Sequence, residues 1–437
     1  MTKKKVLILT YYWPPSGGGG VHRNLKYAKY FREFGWEPVI YTAEDADYPS
    51  IDESLFKDVP EGIEVVKRKI WEPYNVYRKF VGIKKDKKIY SGFISENKKM
   101  GFTQRVSIWI RGNFFIPDAR KFWIKPSIRH LKKYLKENPV DAIISSGPPH
   151  SMHLIGLGIK KSMNIPWVAD FRDPWTNIDF YDQLQLSKRA DRKHRKLEQS
   201  VLKSADQVVT VSWHWADDFK KLGAPGIQVI TNGFDEDDFK VNASPDPNEF
   251  SIAHIGSLNK DRNPPVLWEA LKELCEEIDG FREKLVIRLV GNTDISVRGE
   301  LDRLGLMDRA DFKDYMPHKE VLKMQKESQV LLLLLNDTPN VLGVVPGKLF
   351  EYMASGRPLL AIGPKHGDSA RIITESKAGK VCGFKEKDAM KDAIREMFAA
   401  YQAGKLSVDS EDITKYSRRS VTGNMAEVLY RITGSKG

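Results

Sequence analysis

The chain has 437 residues, 41% hydrophobic and 29% charged, with 32 glycines and 23 prolines. That length asks for two domains, and that composition excludes a disordered, collagenous or fibrous chain. Two cysteines, Cys275 and Cys382, cannot build a disulfide framework and point to a reducing compartment. The longest apolar run, 330–335, is far too short to span a bilayer, and the short apolar start runs into Pro14 and Pro15 without a cleavage pattern. A soluble, cytoplasmic protein is the expectation.

The positive charge is local. The chain carries +12, yet residues 67–136 alone hold 20 Lys and Arg against Glu72, Asp86, Glu96 and Asp118, so the remainder is acidic. Trp71, Tyr74, Tyr77, Phe80, Phe93, Phe102, Trp109, Phe114, Phe115, Phe122 and Trp123 interleave with those cations. Rings among lysines suit an anionic membrane interface, and equally an insertion whose rings pack inward. Nucleic acid would attract the same charge, but no helix-turn-helix, RNA-recognition or zinc-finger pattern accompanies it.

In chain order, 5–10 (KVLILT) reads as a buried strand running into Gly17-Gly18-Gly19-Gly20, with a helix over 21–34 and a strand over 38–42. After the basic insertion come a strand (141–145), a helix (151–163), a strand (167–171), a long helix (184–204) and strands at 207–212 and 228–231. A second series starts with a strand at 250–255, a helix at 265–277 and a strand at 285–290. It continues with strands at 330–335 and 359–362 and helices from 348 and over 387–401. The turn-rich 235–248 is the expected linker. The two series predict an N-terminal domain over 1–234 and a second over 235–415; a closing helical segment over 416–437 is expected to pack back on the first. Alternating strands and helices give doubly wound sheets, whose ligands bind beyond the carboxyl ends of the strands.

Five motifs sit at such ends. Gly17–Gly20 suits close approach of a phosphate or sugar, or a flexible turn; it fails the dinucleotide fingerprint because His22 stands where a third glycine belongs. GPPHSMH (147–153) places His150 and His153 at a helix start, as cleft contacts or as packed histidines. No acidic or cysteine companion is spaced for a metal. DFRDPW (170–175) sets Arg172 between Asp170 and Asp173, an ion network or an active-site group. GSLNKDRNP (256–264) offers a glycine turn with Lys260 and Arg262 before a helix, fit for a diphosphate or simply an exposed turn. In PGKLFEYMASGRP (346–358), Lys348 and Glu351 lie one turn apart on one helix face, a cation for phosphate and a carboxylate for ribose hydroxyls, or a surface pair.

Together PPSGGGG, SGPPHSMHL, IPWVADFRDPW, ADQVVTVS, VITNGFD, GSLNKDRNP, LVGN and PGKLFEYMASGRP resemble glycosyltransferase family 4, the retaining nucleotide-sugar transferases. The resemblance implies an α/β GT-B fold, two doubly wound Rossmann-like domains facing each other across a cleft. It implies that Arg262 and Lys348 stabilise the departing diphosphate, that Glu351 holds the ribose, and that Gly19 and Gly20 approach the transferred sugar. Arg172 falls where many relatives have a cleft histidine, with Asp173 beside it, and Asn232 and Gly233 match the interdomain turn. Two departures stand out: Gly343 replaces the first glutamate of the family's paired-glutamate motif, and Ser257 replaces an arginine.

The reading is a metal-independent retaining glycosyltransferase without cofactor. It uses a nucleotide-sugar, taken as a UDP-sugar, and a saccharide or lipid-linked acceptor at an anionic membrane surface, in cell-surface polysaccharide assembly. The rivals are a nucleotide-sugar epimerase of the same fold and a basic nucleic-acid-binding protein.

Overall fold

The apolar runs of the sequence become the strands of two all-parallel sheets. The computed structural model describes residues 3–72 and 102–434. Tyr74, Tyr77, Phe80, Phe93 and the lysine cluster Lys84, Lys85, Lys87 and Lys88 lie outside them. Two units divide the chain, one formed by Met1–Thr231 with Arg418–Gly437, the other by Asn232–Ser417.

In the first unit the strands are β1 (Lys4–Leu9), β2 (Trp36–Ala43), β3 (Glu64–Arg68), β4 (Ala142–Gly147), β5 (Trp167–Phe171), β6 (Gln207–Thr210) and β7 (Ile227–Val229). They pair in the order β3-β2-β1-β4-β5-β6-β7. Helices α1 (Gly19–Tyr30), α2 (Phe102–Phe114), α3 (Lys121–Glu137), α4 (Ser151–Met163), α5 (Lys188–Ser204) and α6 (Trp213–Lys221) accompany them. Val6, Ile8, Ile40, Ile144, Val168 and Val209 from the strands bury against Val21, Leu25 and Ala28 of α1. Runs apolar on both faces are what a parallel sheet covered on both sides demands.

The second unit holds β8 (Phe250–Ile255), β9 (Leu285–Val290), β10 (Ala310–Lys313), β11 (Val330–Leu334), β12 (Leu359–Ile362) and β13 (Gly379–Cys382), ordered β10-β9-β8-β11-β12-β13. Its helices are α7 (Pro265–Glu277), α8 (Phe281–Lys284), α9 (Ile295–Arg303), α10 (His318–Glu327), α11 (Lys348–Ala354), α12 (Asp368–Glu375) and α13 (Lys387–Gln402). Ile252, Ile287, Leu332 and Leu360 pack with Leu267, Trp268, Leu271 and Phe398 into its core. The last helix, α14 (Arg418–Ile432), belongs to the first unit. Val421, Met425 and Leu429 close its core beside α1, and the Tyr430 hydroxyl donates to the Phe34 carbonyl at 2.9 Å.

Three expectations change. The helix expected from 184 starts at Lys188, because Ser187 caps it, accepting from the Ala190 amide at 3.3 Å. The expected linker 235–248 lies inside the second unit, where Lys326 of α10 donates to the carbonyls of Phe239 and Val241 at 2.7 and 2.8 Å. The basic segment is not wholly an insertion either. Its described flanks supply the edge strand β3 and helices α2 and α3, and Trp123 is buried, stacked on Tyr41 with centroids 5.2 Å apart.

Candidate active site

In each unit the sheet order reverses beside its first strand, between β1 and β4 and between β8 and β11. An open α/β sheet has its natural crevice at that reversal.

In the second unit, β8 gives way to Gly256, whose φ of 121° is left-handed. A Cβ at Gly256 would stand 2.8 Å from the Lys348 ammonium, so this turn must lack a side chain for Lys348 to reach it. Gly291, after β9, lies against the Gly256 backbone, and the Leu258 amide donates to the Asn292 carbonyl at 2.9 Å. Arg262 bridges the reversal point. Its Nε donates to Asn336 Oδ1, just past β11, at 3.0 Å, and its Nη1 to the Ser257 carbonyl at 2.9 Å.

Lys348 opens α11. Its stem is partly exposed, but its ammonium is sealed from solvent and has no hydrogen-bond partner among the described residues. Burial, reinforced by the like charge of Arg262, lowers its pKa to about 7, with Glu351 only partly opposing. His254 beneath is held neutral by burial and by these cations, its Nδ1 3.0 Å from the Leu332 carbonyl. One turn on, Glu351 Oε1 lies 3.2 Å from His318 Nε2, and its Oε2 accepts from Gln325 Nε2 at 3.3 Å. A buried cation without a partner among the described residues, set beside a glycine turn, has the chemistry to hold an anion. A held carboxylate one turn deeper suits vicinal hydroxyls.

In the first unit, α1 starts at Gly19, with Gly18 as an N-cap that supplies no side chain. Gly19 faces open space, whereas a Cβ at Gly20 would stand 2.8 Å from the Tyr12 ring. Arg172 Nη1 donates to the Gly20 carbonyl at 2.8 Å and Nη2 to the Pro148 carbonyl at 2.5 Å. Arg172 therefore ties the glycine loop to the end of β4. Asp170 is not its partner: both Asp170 oxygens pair with Arg23 of α1 at 2.9 Å, fully buried. Asp173 stays half-buried with no hydrogen bond among the described residues, and burial raises its carboxyl pKa, with Arg172 opposing. His150 lies flat on Trp175, centroids 4.8 Å apart, and burial keeps it neutral.

His153, expected to contact substrate, is instead a core side chain. It is fully buried, stacked on Phe171, with Nδ1 2.9 Å from Ser145 Oγ, and burial drops its pKa to about 3. The structure gathers Ser257, Arg262, Lys348 and Glu351 in one unit and Gly20, His150, Arg172 and Asp173 in the other. Asn232 and Gly233 open the second unit, and the Asn232 side chain makes no hydrogen bond among the described residues. Gly343 ends the short turn Val341–Gly343 ahead of α11.

Residues 94–238 match the family model described as Glycosyltransferase Family 4, and residues 234–417 match that described as Glycosyl transferases group 1. The chain belongs to the family 4 glycosyltransferases. Comparison with curated proteins returns no match. Among solved structures, this glycosyltransferase shares the fold of a Rickettsia africae glycosyltransferase at 15% identity and TM-score 0.62, covering 100% of both chains. Sucrose-phosphate synthase from Thermosynechococcus elongatus gives 14% identity and TM-score 0.61 over 98% of both. Anabaena HepE, solved with UDP and glucose, gives 16% and 0.55 over 99% of this chain and 97% of its own. The fold is GT-B.

Several supports of the site carry no motif. Asn336 was legible only as a polar residue at a strand's carboxyl end. His318 and Gln325 act on Glu351 from a helix 33 and 26 residues upstream, which no spacing announces.

Proposed function

We propose that this glycosyltransferase moves a hexosyl or N-acetylhexosaminyl residue from a UDP-sugar to a hydroxyl of a lipid-linked saccharide, with retention and without a metal. The observation that carries the donor half is the sealed, unpartnered Lys348 ammonium against the Gly256 turn, with Arg262 beside it. HepE, of the same fold, was solved with UDP and with UDP-glucose, which favours uridine. The bond from the anomeric carbon to the β-phosphate oxygen breaks as the acceptor oxygen attacks from the same face, and the hydroxyl proton passes to that departing phosphate oxygen. Arg262 and Lys348 meet the charge that develops there. Among the described residues no three His, Cys, Asp or Glu side chains gather to hold a metal ion.

A thermal-shift panel of nucleotides and nucleotide-sugars tests this: UDP at 100 times its dissociation constant should stabilise by about 2.7 kcal/mol. No response to any uridine nucleotide would defeat it. Glu351→Ala should weaken UDP by about 1.5–3 kcal/mol, or about 10- to 150-fold, because ribose hydroxyls lose a charged acceptor. Titration calorimetry reads that loss, and unchanged affinity in the folded variant removes Glu351 from the site.

The acceptor half rests on the surface of the first unit. Trp71, Trp109, Phe114 and Phe122 are 58%, 43%, 57% and 43% exposed, with the Lys121 ammonium 5.0 Å from the Phe122 ring centre. Exposed rings beside cations suit a headgroup layer, and no described helix is long and apolar enough to cross a membrane. Vesicle co-sedimentation should rise with anionic lipid and fall with salt. The double variant Trp71→Ser, Phe122→Ser should lose about tenfold or more, since burying even one such ring is worth about 1.5–3 kcal/mol. Charge reversal at Lys84, Lys85, Lys87 and Lys88 should weaken it too. Equal binding to neutral and anionic vesicles speaks against it.

A further inference from the structure

The two central strands of the second sheet part earlier than their neighbours do. β8 pairs with β9 from Phe250 to Ile255, and β11 pairs with β12 from Leu331 to Leu334. Between β8 and β11, by contrast, the register holds at Ile252 with Val330 and at Ala253 with Leu331 and then ends. Successive residues of a strand send their main-chain groups to opposite neighbours. The Gly256 amide donates to the Val290 carbonyl of β9 at 2.8 Å, so Ile255 before it faces β11. The Leu331 amide donates to the Pro358 carbonyl on the β12 side at 3.0 Å, so Leu332 after it faces β8. Divergence therefore leaves buried main-chain groups of Ile255 and Leu332 facing a gap, and such groups must find partners.

Two side chains supply them. Tyr352 of α11, fully buried, accepts from the Ile255 amide at 2.9 Å and donates to the Ile255 carbonyl at 3.4 Å. His254 of β8, equally buried, has Nδ1 3.0 Å from the Leu332 carbonyl. A carbonyl only accepts, so that nitrogen carries the proton. A phenylalanine at 352 would fill the core as well as tyrosine does, but it would leave the Ile255 amide unpaired.

Tyr352 does this from a telling place. It lies four residues after Lys348, one turn on along the same face of α11. Tyr352 meets Ile255, and Lys348 meets the next residue, Gly256, where a Cβ would stand 2.8 Å from the ammonium. The Lys348 ammonium has no hydrogen-bond partner among the described residues, and its four-carbon stem is flexible. Nothing at its tip fixes it, so its seat depends on how α11 is mounted. Glu351 has a mounting of its own, since His318 and Gln325 of α10 hold its two oxygens at 3.2 and 3.3 Å.

We propose that Tyr352 is a positioning residue of the donor site: its hydroxyl replaces the missing β8–β11 rung at Ile255, clamps α11 to the strand end, and so seats the Lys348 ammonium against the Gly256 turn. What Lys348 then holds rests on the nucleoside-diphosphate reading above; the clamp itself does not.

Tyr352→Phe removes one oxygen and keeps the ring, so it should fold, and its melting curve checks this. Two measurements on the full chain decide the role. The first needs no ligand. Lys348→Met should raise the melting point at pH 6.5 by removing a sealed charge. With Tyr352→Phe already in place the ammonium is no longer held there, and that gain should drop to about half or less. The second is titration with UDP and with uridine, which has no phosphate. UDP affinity should fall about tenfold in Tyr352→Phe, the loss of one well-placed charged contact. Uridine affinity should stay within about twofold, because Glu351 keeps its separate support. An undiminished gain from Lys348→Met, unchanged UDP affinity, or equal weakening of UDP and uridine makes Tyr352 a packing residue and overturns the clamp. A wild-type protein blind to UDP, in which Tyr352→Phe still halves the Lys348→Met gain, keeps the clamp and strikes the uridine-diphosphate reading instead.

Discussion

Lys348→Met should make the ligand-free protein more stable and at the same time unable to bind a nucleoside diphosphate. The native ammonium is sealed from solvent without a hydrogen-bond partner, and burial holds its pKa at about 7 instead of 10.5. At about 1.36 kcal/mol per unit this strain is about 4–5 kcal/mol. The sign follows from linkage. Between pH 7 and 10.5 the unfolded chain binds the proton that the folded chain has released, so stability rises with pH through that window. Below pH 7 the cost is present in full. Methionine fills a similar volume without charge, so at pH 6.5 the variant should melt higher, by about 8–20 °C at 2–4 °C per kcal/mol. Near pH 10.5 the advantage should vanish. Differential scanning calorimetry across that range reads both outcomes, and a methionine variant no more stable at pH 6.5 refutes the strained-cation reading.

The same lysine sets a pH dependence for the ligand. A diphosphate seated against the ammonium favours its charged form, so binding above pH 7 must draw a proton from solvent. UDP affinity should then fall about tenfold per pH unit above 7 until the pKa in the complex is passed. Calorimetry in buffers of different ionisation heat should show proton uptake at pH 8 and little at pH 6.

The sequence carried the architecture further than the chemistry. Strands such as β5 and β8 are short apolar runs bounded by turns, and the glycines after β1 and β8 mark where each crevice lies. Local strings also singled out Arg262, Lys348 and Glu351 as candidates, because each sits within one turn of its motif. What escaped were relations across the chain. Asp170 and Asp173 look alike in DFRDPW, yet Asp170 is consumed by Arg23, 147 residues away, while Asp173 accepts no hydrogen bond from a described residue and meets only the charge of Arg172. His150 and His153 look alike too, but one turn of α4 sends His153 into the core against Phe171 and leaves His150 on a cavity wall. That cavity of the first unit draws on α2, the turn that follows it, α5 and the loops after β1, β2, β4 and β5, so no stretch of sequence describes it. Helices α2 and α3 were hidden by their own charge, since lysine and arginine on the outer faces masked the apolar positions, such as Trp123, that pack inward.

Arg262→Ala should lower turnover by about 10²–10³-fold while leaving the fold nearly as stable as before. Its guanidinium spans the reversal point of the second sheet, from the Ser257 carbonyl to Asn336, and so is aimed by two fixed acceptors before any ligand arrives. A cation held in place needs no reorganisation as negative charge grows on a leaving phosphate, and removing one such group typically loses about 2.7–4 kcal/mol of transition-state stabilisation. The ground state loses less, because Lys348 still faces the same anion. Turnover should therefore suffer more than the Michaelis constant for the donor. Arg262→Lys should recover only a small part, since an ammonium cannot grip Asn336 and Ser257 together while facing the phosphate. Asn336→Leu gives the complementary result: the arginine keeps its charge but loses its aim, so turnover should fall by a smaller factor with little change in donor binding. A UDP-release assay with the three variants separates charge from placement. Near-normal turnover in Arg262→Ala would move the charge-stabilising role to Lys348 alone.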